Sequence, residues 1–138
     1  MRMLKLLALA GLLATHGCAA VAVGAVAAAA GGVTYTVLGT AEKTYYEDYE
    51  AVVVALQTAL VTLDIKTGDT KQNEENGKVV LTEIEAYTGD LTIRIRIHRV
   101  GDKATRVVVD ASQNFLIKDK ATAAAILNQT TDNLSRKS

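Results

Sequence analysis

Near residue 63 the apolar residues of this chain change their spacing. Tyr49, Val52, Val53, Leu56, Ala59, Leu60 and Leu63 recur at intervals of three and four, which places them along one face of an α-helix. Beyond Leu63 the interval becomes two. Val80, Thr82, Ile84 and Ala86 alternate with Leu81, Glu83, Glu85 and Tyr87. Leu91, Ile93, Ile95 and Ile97 alternate with Thr92, Arg94, Arg96 and His98, and Thr105, Val107 and Val109 with Arg106, Val108 and Asp110. Successive side chains of a strand point to opposite faces, so each segment makes a strand with one apolar and one polar side. Asn76-Gly77, Thr88-Gly89 and Gly101-Asp102-Lys103 separate the segments and turn the chain back on itself.

The flanks complete the pattern. Residues 33–40, with Val33, Tyr35 and Val37 against Thr34 and Thr36, suggest a strand. The helix begins near Tyr46: Thr44 with Glu47 reads as a capping box, and Glu47, Asp48 and Glu50 favour the helix dipole. Residues 64–72 read as a polar strand. Residues 119–134 read as a final helix with Ala123, Ile126, Leu127 and Leu134 on one side. The expected order is therefore strand, helix, four strands, helix. It describes a two-layer α+β domain over residues 33–138, an antiparallel meander sheet covered on one face by two helices. Val80, Ile84, Ile93, Ile95, Ile97, Val107 and Val109 are expected to meet Val53, Leu56 and Leu60, each fully buried aliphatic side chain contributing about 1.5–3 kcal/mol. Proline is absent, so no rigid linker divides the chain.

The amino terminus supplies an address. Arg2 and Lys5 precede the uncharged stretch Leu6-Leu7-Ala8-Leu9-Ala10-Gly11-Leu12-Leu13-Ala14, and small residues follow. A cationic start, an apolar stretch of this length and a small-residue junction describe a secretory signal, here residues 1–17. Cys18, the sole cysteine, stands at that junction and resembles the acylated residue of a bacterial lipoprotein. Gly17 fits the usual cleavage motif; Thr15 stands where Leu is common, and His16 is unusual there. Two other readings stay open. One is ordinary cleavage after Ala20 or Ala22. The other is an uncut anchor, because no Asp, Glu, Lys or Arg occurs between Lys5 and Glu42 and a spanning helix needs about 20 apolar residues. By the lipoprotein resemblance several acyl chains, palmitate among them, hold the mature protein to a membrane, where one chain alone binds only marginally. Ala19 is not the Asp that commonly retains such proteins at the inner membrane, so the resemblance implies the outer membrane, facing the periplasm. The Ala/Val/Gly-rich residues 18–32 then read as a lipidated tether.

The same residues carry a family resemblance. Gly17-Cys18-Ala19-Ala20, the Ala/Gly stretch, the lead-in from Gly39 to Thr44-Tyr45, and Tyr49, Val53, Ala55-Leu56 and Ala59-Leu60 resemble a family of short bacterial lipoproteins, the domain-of-unknown-function family 3568. The likeness covers nearly the whole mature chain and implies no activity.

Charge narrows the function classes. The whole chain has 15 Lys and Arg against 15 Asp and Glu, and loss of Arg2 and Lys5 leaves a small acidic excess. Nothing clusters base as a nucleic-acid surface requires. The cation-rich segment is Ile93-Arg94-Ile95-Arg96-Ile97-His98-Arg99, a stripe suited to phosphate or carboxylate. Register argues that it is neutralised. With Thr88-Gly89 as a two-residue turn, Ile84 faces Ile93 and Glu83 faces Arg94. With Val100 opposite Ala104, Ile97 faces Val107 and Arg94 faces Asp110. Arg94 then lies between two carboxylates and Arg96 is the least compensated cation. Arg96, His98 and Arg106 are the expected interaction face.

Chemistry finds no footing. His98 is the single histidine outside the leader, and with Cys18 acylated no soft partner is left for a metal site. Ser112, Ser135 and Ser138 stand in no nucleophile motif, and Gly31-Gly32, Gly39 and Gly68 lack phosphate-loop spacing. No catalytic residue, metal or cofactor is expected. The expected role is a non-enzymatic interaction or structural one in the cell envelope, with an envelope protein or polymer as partner. The alternative is a carrier of a small ligand or lipid in a pocket between sheet and helices, where Ala51, Ala55, Ala59, Ala123, Ala124 and Ala125 leave room.

Overall fold

The structure, a computed structural model, describes residues 25–27, 32–36, 38–114 and 116–137. The leader and Cys18 lie outside these residues. The strands are β1 (Ala25–Ala27), β2 (Thr34–Thr36), β3 (Ala41–Tyr45), β4 (Lys66–Glu75), β5 (Lys78–Thr88), β6 (Leu91–Gly101), β7 (Ala104–Gln113) and β8 (Ile117–Lys118). Helix α1 (Tyr49–Thr62) stands between β3 and β4, and α2 (Lys120–Ser135) closes the chain. One antiparallel sheet runs β1-β2-β3-β7-β6-β5-β4, with β8 pairing to β7 beyond the end of β3. Both helices bury residues in the same core, on one face of the sheet. This is the expected α+β architecture, with the β4–β7 meander and two helices.

The layers meet through aliphatic side chains. Leu56 and Leu60 of α1 and Ile126 and Leu127 of α2 are fully buried with Ile84, Ile93, Ile95, Ile97, Val107 and Val109 of the sheet. Ala55, Ala59 and Ala123 are fully buried as well. Their small size is used where α1 and α2 come together, and there the Asn133 amide donates to the Ala55 carbonyl at 2.9 Å. Tyr49 reaches from α1 to the sheet, its hydroxyl 2.6 Å from that of Thr82. The α2 amino end is capped as a helix beginning at Lys120 requires, Asp119 accepting from the Thr122 amide at 2.8 Å.

Several expectations are corrected. The Thr44–Glu47 capping box does not form, because Thr44 belongs to β3 and the N-cap is Asp48, whose side chain makes no cap hydrogen bond. Residues 41–45 pair with β7 from Ala41↔Val109 to Tyr45↔Thr105. That pairing satisfies the backbone of β7 and buries Ala41 and Tyr45, a gain only the distant strand supplies. The strand expected over 33–40 narrows to Thr34–Thr36, after which Gly39, at φ 78°, turns the chain into β3. Ala25–Ala27, inside the stretch read as a tether, pairs with β2.

Two register corrections matter for the polar face. The β5–β6 turn is Gly89-Asp90, with Thr88 opposite Leu91, so Ile84 faces Ile95 and Glu83 faces Arg96. Gly89 has φ 54° and occupies the first central turn position, where a positive φ is needed. Register thus slips by two from the expected pairing and every side chain keeps its face. Near the other end, an extra residue in β5 sits between the pairs Asn73↔Leu81 and Glu74↔Val79. This bulge gives the core position to Val79, which packs against the apolar cluster, in place of the expected Val80.

Candidate functional site

The sheet face away from the helices is polar, and pairing places its side chains in rows. One row runs Lys71, Glu83, Arg96, Val108, Glu42 across β4, β5, β6, β7 and β3. The next brings Glu85, Arg94 and Asp110 together, with Asp110 bonded to Lys118 of β8 at 2.6 Å. Opposite charges on neighbouring strands contribute a few tenths of a kcal/mol per pair in such exposed positions. Arg94 faces Asp110 as expected, and its other cross-strand partner is Glu85. Arg96, expected as the least compensated cation, stands opposite Glu83.

The third row differs. Leu81, His98, Arg106 and Thr44 follow one another, and neither His98 nor Arg106 has a carboxylate opposite it. Half-buried His98 is held below the usual imidazole range, first by burial and then by the Arg106 and Arg96 guanidinium groups, with Glu83 acting the other way. Near neutral pH it therefore offers one ring nitrogen as donor and the other as acceptor. The three residues expected as an interaction face do come together, at one end of the open face. A hollow of about 470 Å³ adjoins them, lined by Asp69, Lys71, Glu83, Glu85, Arg94, Arg96 and Asp110. Asp69 and Lys71 escaped sequence reasoning because β4 is polar on both sides, all ten residues being exposed. No alternation marks which of them face the hollow.

Arg99 departs from its neighbours. Its guanidinium lies 4.5 Å from the Tyr49 ring centroid, donates to the Val79 carbonyl at 2.9 Å and pairs with Glu50 of α1 at 2.5 Å. It joins sheet to helix and does not belong to the open face. The Arg99 contact also draws the Glu50 carboxyl below the usual range.

The carrier expectation needs space between the layers. There the structure packs Leu56, Leu60, Ile95 and Ile126, all fully buried. A second hollow, about 260 Å³, opens at the rim between Lys43, Tyr45 and Tyr46 and the last turns of α2. Among the described residues no three His, Cys, Asp or Glu side chains are grouped to hold a metal ion, and no helix is long and apolar enough to cross a membrane.

No curated protein matches the chain. The family model described as "Protein of unknown function (DUF3568)" matches residues 2–133, the whole helix-on-sheet domain up to the last turn of α2. The chain therefore belongs to this family, the one its small-residue stretch and α1 spacing resemble.

Proposed function

We propose that the protein is a bacterial lipoprotein of the cell envelope, held to the outer membrane by acylated Cys18 and facing the periplasm. Its domain acts without catalysis, presenting the open sheet face to an anionic group of an envelope protein or polymer. Arg2, Lys5, the uncharged stretch and the single cysteine support the anchor. One observation carries the interaction role. Most charge on the open face is matched across strands, while His98 and Arg106, beside Arg96, have no carboxylate opposite them. A carboxylate or phosphate partner would complete that row.

The test is cosedimentation of the lipidated protein with isolated cell-wall polymer, and capture of envelope proteins, for wild type and Arg96→Glu/Arg106→Glu. Both side chains are exposed, so the fold is expected to persist. Charge reversal should reduce retention at least about tenfold, the loss of one to two charge-assisted contacts. Equal yields from the two proteins would remove this face from the proposal. Mass spectrometry of the mature amino terminus separately tests the anchor: diacylglycerol on Cys18 supports it, and a bare or absent Cys18 defeats it.

A further inference from the structure

Three of the exposed large apolar side chains meet at one corner of the domain. Leu38 in the β2–β3 turn is 75% exposed, Leu116 in the β7–β8 turn 87% and Ile117 62%. The two turns are neighbours: a Cβ added to Gly39 would lie 2.8 Å from the Lys118 side chain. Leu and Ile at turn tips bring nothing to this fold's core, and such side chains in water are unfavourable by roughly 1.5–3 kcal/mol each against burial.

The direction of the chain says what covers them. Strand β1 is antiparallel to β2, with Ala25 opposite Thr36, so the polypeptide enters the sheet beside the turn that carries Leu38. Only seven residues lead from Cys18 to Ala25. Fully extended they span at most about 25 Å. If the sulfur of Cys18 carries acyl chains, this corner is the part of the domain held against the bilayer.

We propose that Leu38, Leu116 and Ile117 form a membrane-docking tip that enters the lipid interface. The inference rests on the anchoring reading for its orientation, and the occupant it names is a phospholipid surface. Side chains of this kind sit about 5–10 Å deep, at the boundary of headgroups and acyl chains. Lys120 flanks the tip at the start of α2, where a cation meets anionic lipid. Docking fixes the pose of the domain. The sheet ends carrying the β4–β5 and β6–β7 turns point away from the membrane, and the open face stands across it.

The experiment uses the full-length protein purified from membranes and reconstituted in phosphatidylethanolamine/phosphatidylglycerol vesicles with brominated acyl chains. Leu116→Cys and Asn76→Cys variants each take a thiol-reactive fluorophore, Asn76 lying in the turn at the far end of the sheet. Bromine should quench the label at 116 at least about twofold more than the label at 76. Adding Leu38→Asp and Ile117→Asp to Leu116→Cys should bring quenching down to the level at 76. Equal quenching at 116 and 76 overturns the docking tip. Failure of the anchor shows separately in the wild-type protein, as label taken by a bare Cys18 or as a mature amino terminus that lacks Cys18 by mass spectrometry. In that event the same variants in a Cys18→Ser background are compared on the vesicles, with the same two outcomes deciding the tip.

Discussion

The hydroxyl of Tyr45 donates to the main-chain carbonyl of Leu127 at 2.7 Å, joining the strand that precedes α1 to the middle of α2. Tyr45 is only 5% exposed, and burial pushes the pKa of its hydroxyl up to about 12. This contact makes β3 part of the core although its other residues are mostly polar.

Its titration is a testable consequence. The folded pKa lies above the unfolded value near 10, so the contribution of this group is complete below pH 10 and is lost as pH rises toward 12. A tenfold difference in proton affinity between the folded and unfolded chain is worth about 1.4 kcal/mol. Burial raises Tyr49 in the same direction. Stability by urea denaturation should fall between pH 10 and 12, less steeply in Tyr45→Phe. At pH 7 that variant should lose about 0.5–1.5 kcal/mol, the net worth of one hydrogen bond.

His98 titrates with the opposite sense. Its folded pKa is depressed, so the stability linked to it is present above the unfolded value near 6.5 and declines as pH falls below that value. Nuclear magnetic resonance should place the imidazole midpoint below 6.5, and Arg106→Gln should raise it while burial keeps it depressed. A midpoint unmoved by that substitution would show that Arg106 does not act on the ring.

Pairing across β5 and β6 can be read by oxidation. In a Cys18→Ser background, Glu83→Cys with Arg96→Cys should form a disulfide, being directly opposite. Glu83→Cys with Arg94→Cys should not, since diagonal neighbours lie about 7–8 Å apart, beyond the Cα separation a disulfide accepts. Gel mobility with and without reductant distinguishes the pairs.

Two glycines at positive φ should differ in their response to alanine. Gly77 has φ 74° with open space around its Cα, so Gly77→Ala costs about 1–2 kcal/mol of backbone strain. Gly39→Ala adds a clash with Lys118 at 2.8 Å and should cost more. Thermal unfolding midpoints should fall in that order.

How far the fold was legible depends on the range of the interaction that decides each part. The α1 stripe, the meander and the Asn76-Gly77 hairpin follow from neighbours a few residues apart, and they stand where periodicity places them. The Asp119 start of α2 is local too. Residues 41–45 were unreadable as a strand because their partner is β7, 60 to 68 positions away. The open face was legible as polar, and Arg96, His98 and Arg106 as its members. Which carboxylate meets which cation was not. Alternation fixes the face of a side chain but is indifferent to a slip of two, and under that slip Glu83 passes from Arg94 to Arg96 while Arg94 takes Glu85.

By itself, then, the sequence determined the layers: hydrophobic period assigns helix or strand, and burial of the apolar side is what drives the two together. It also determined the family, through small residues and apolar spacing read along the chain. Only the tertiary structure decided the register, the pairing of β3 with β7 and the compensation of Arg96. Those depend on the conformation of Gly89, on a bulge at Val80 and on backbone groups far off in sequence, whose hydrogen bonds exist only once the sheet has closed.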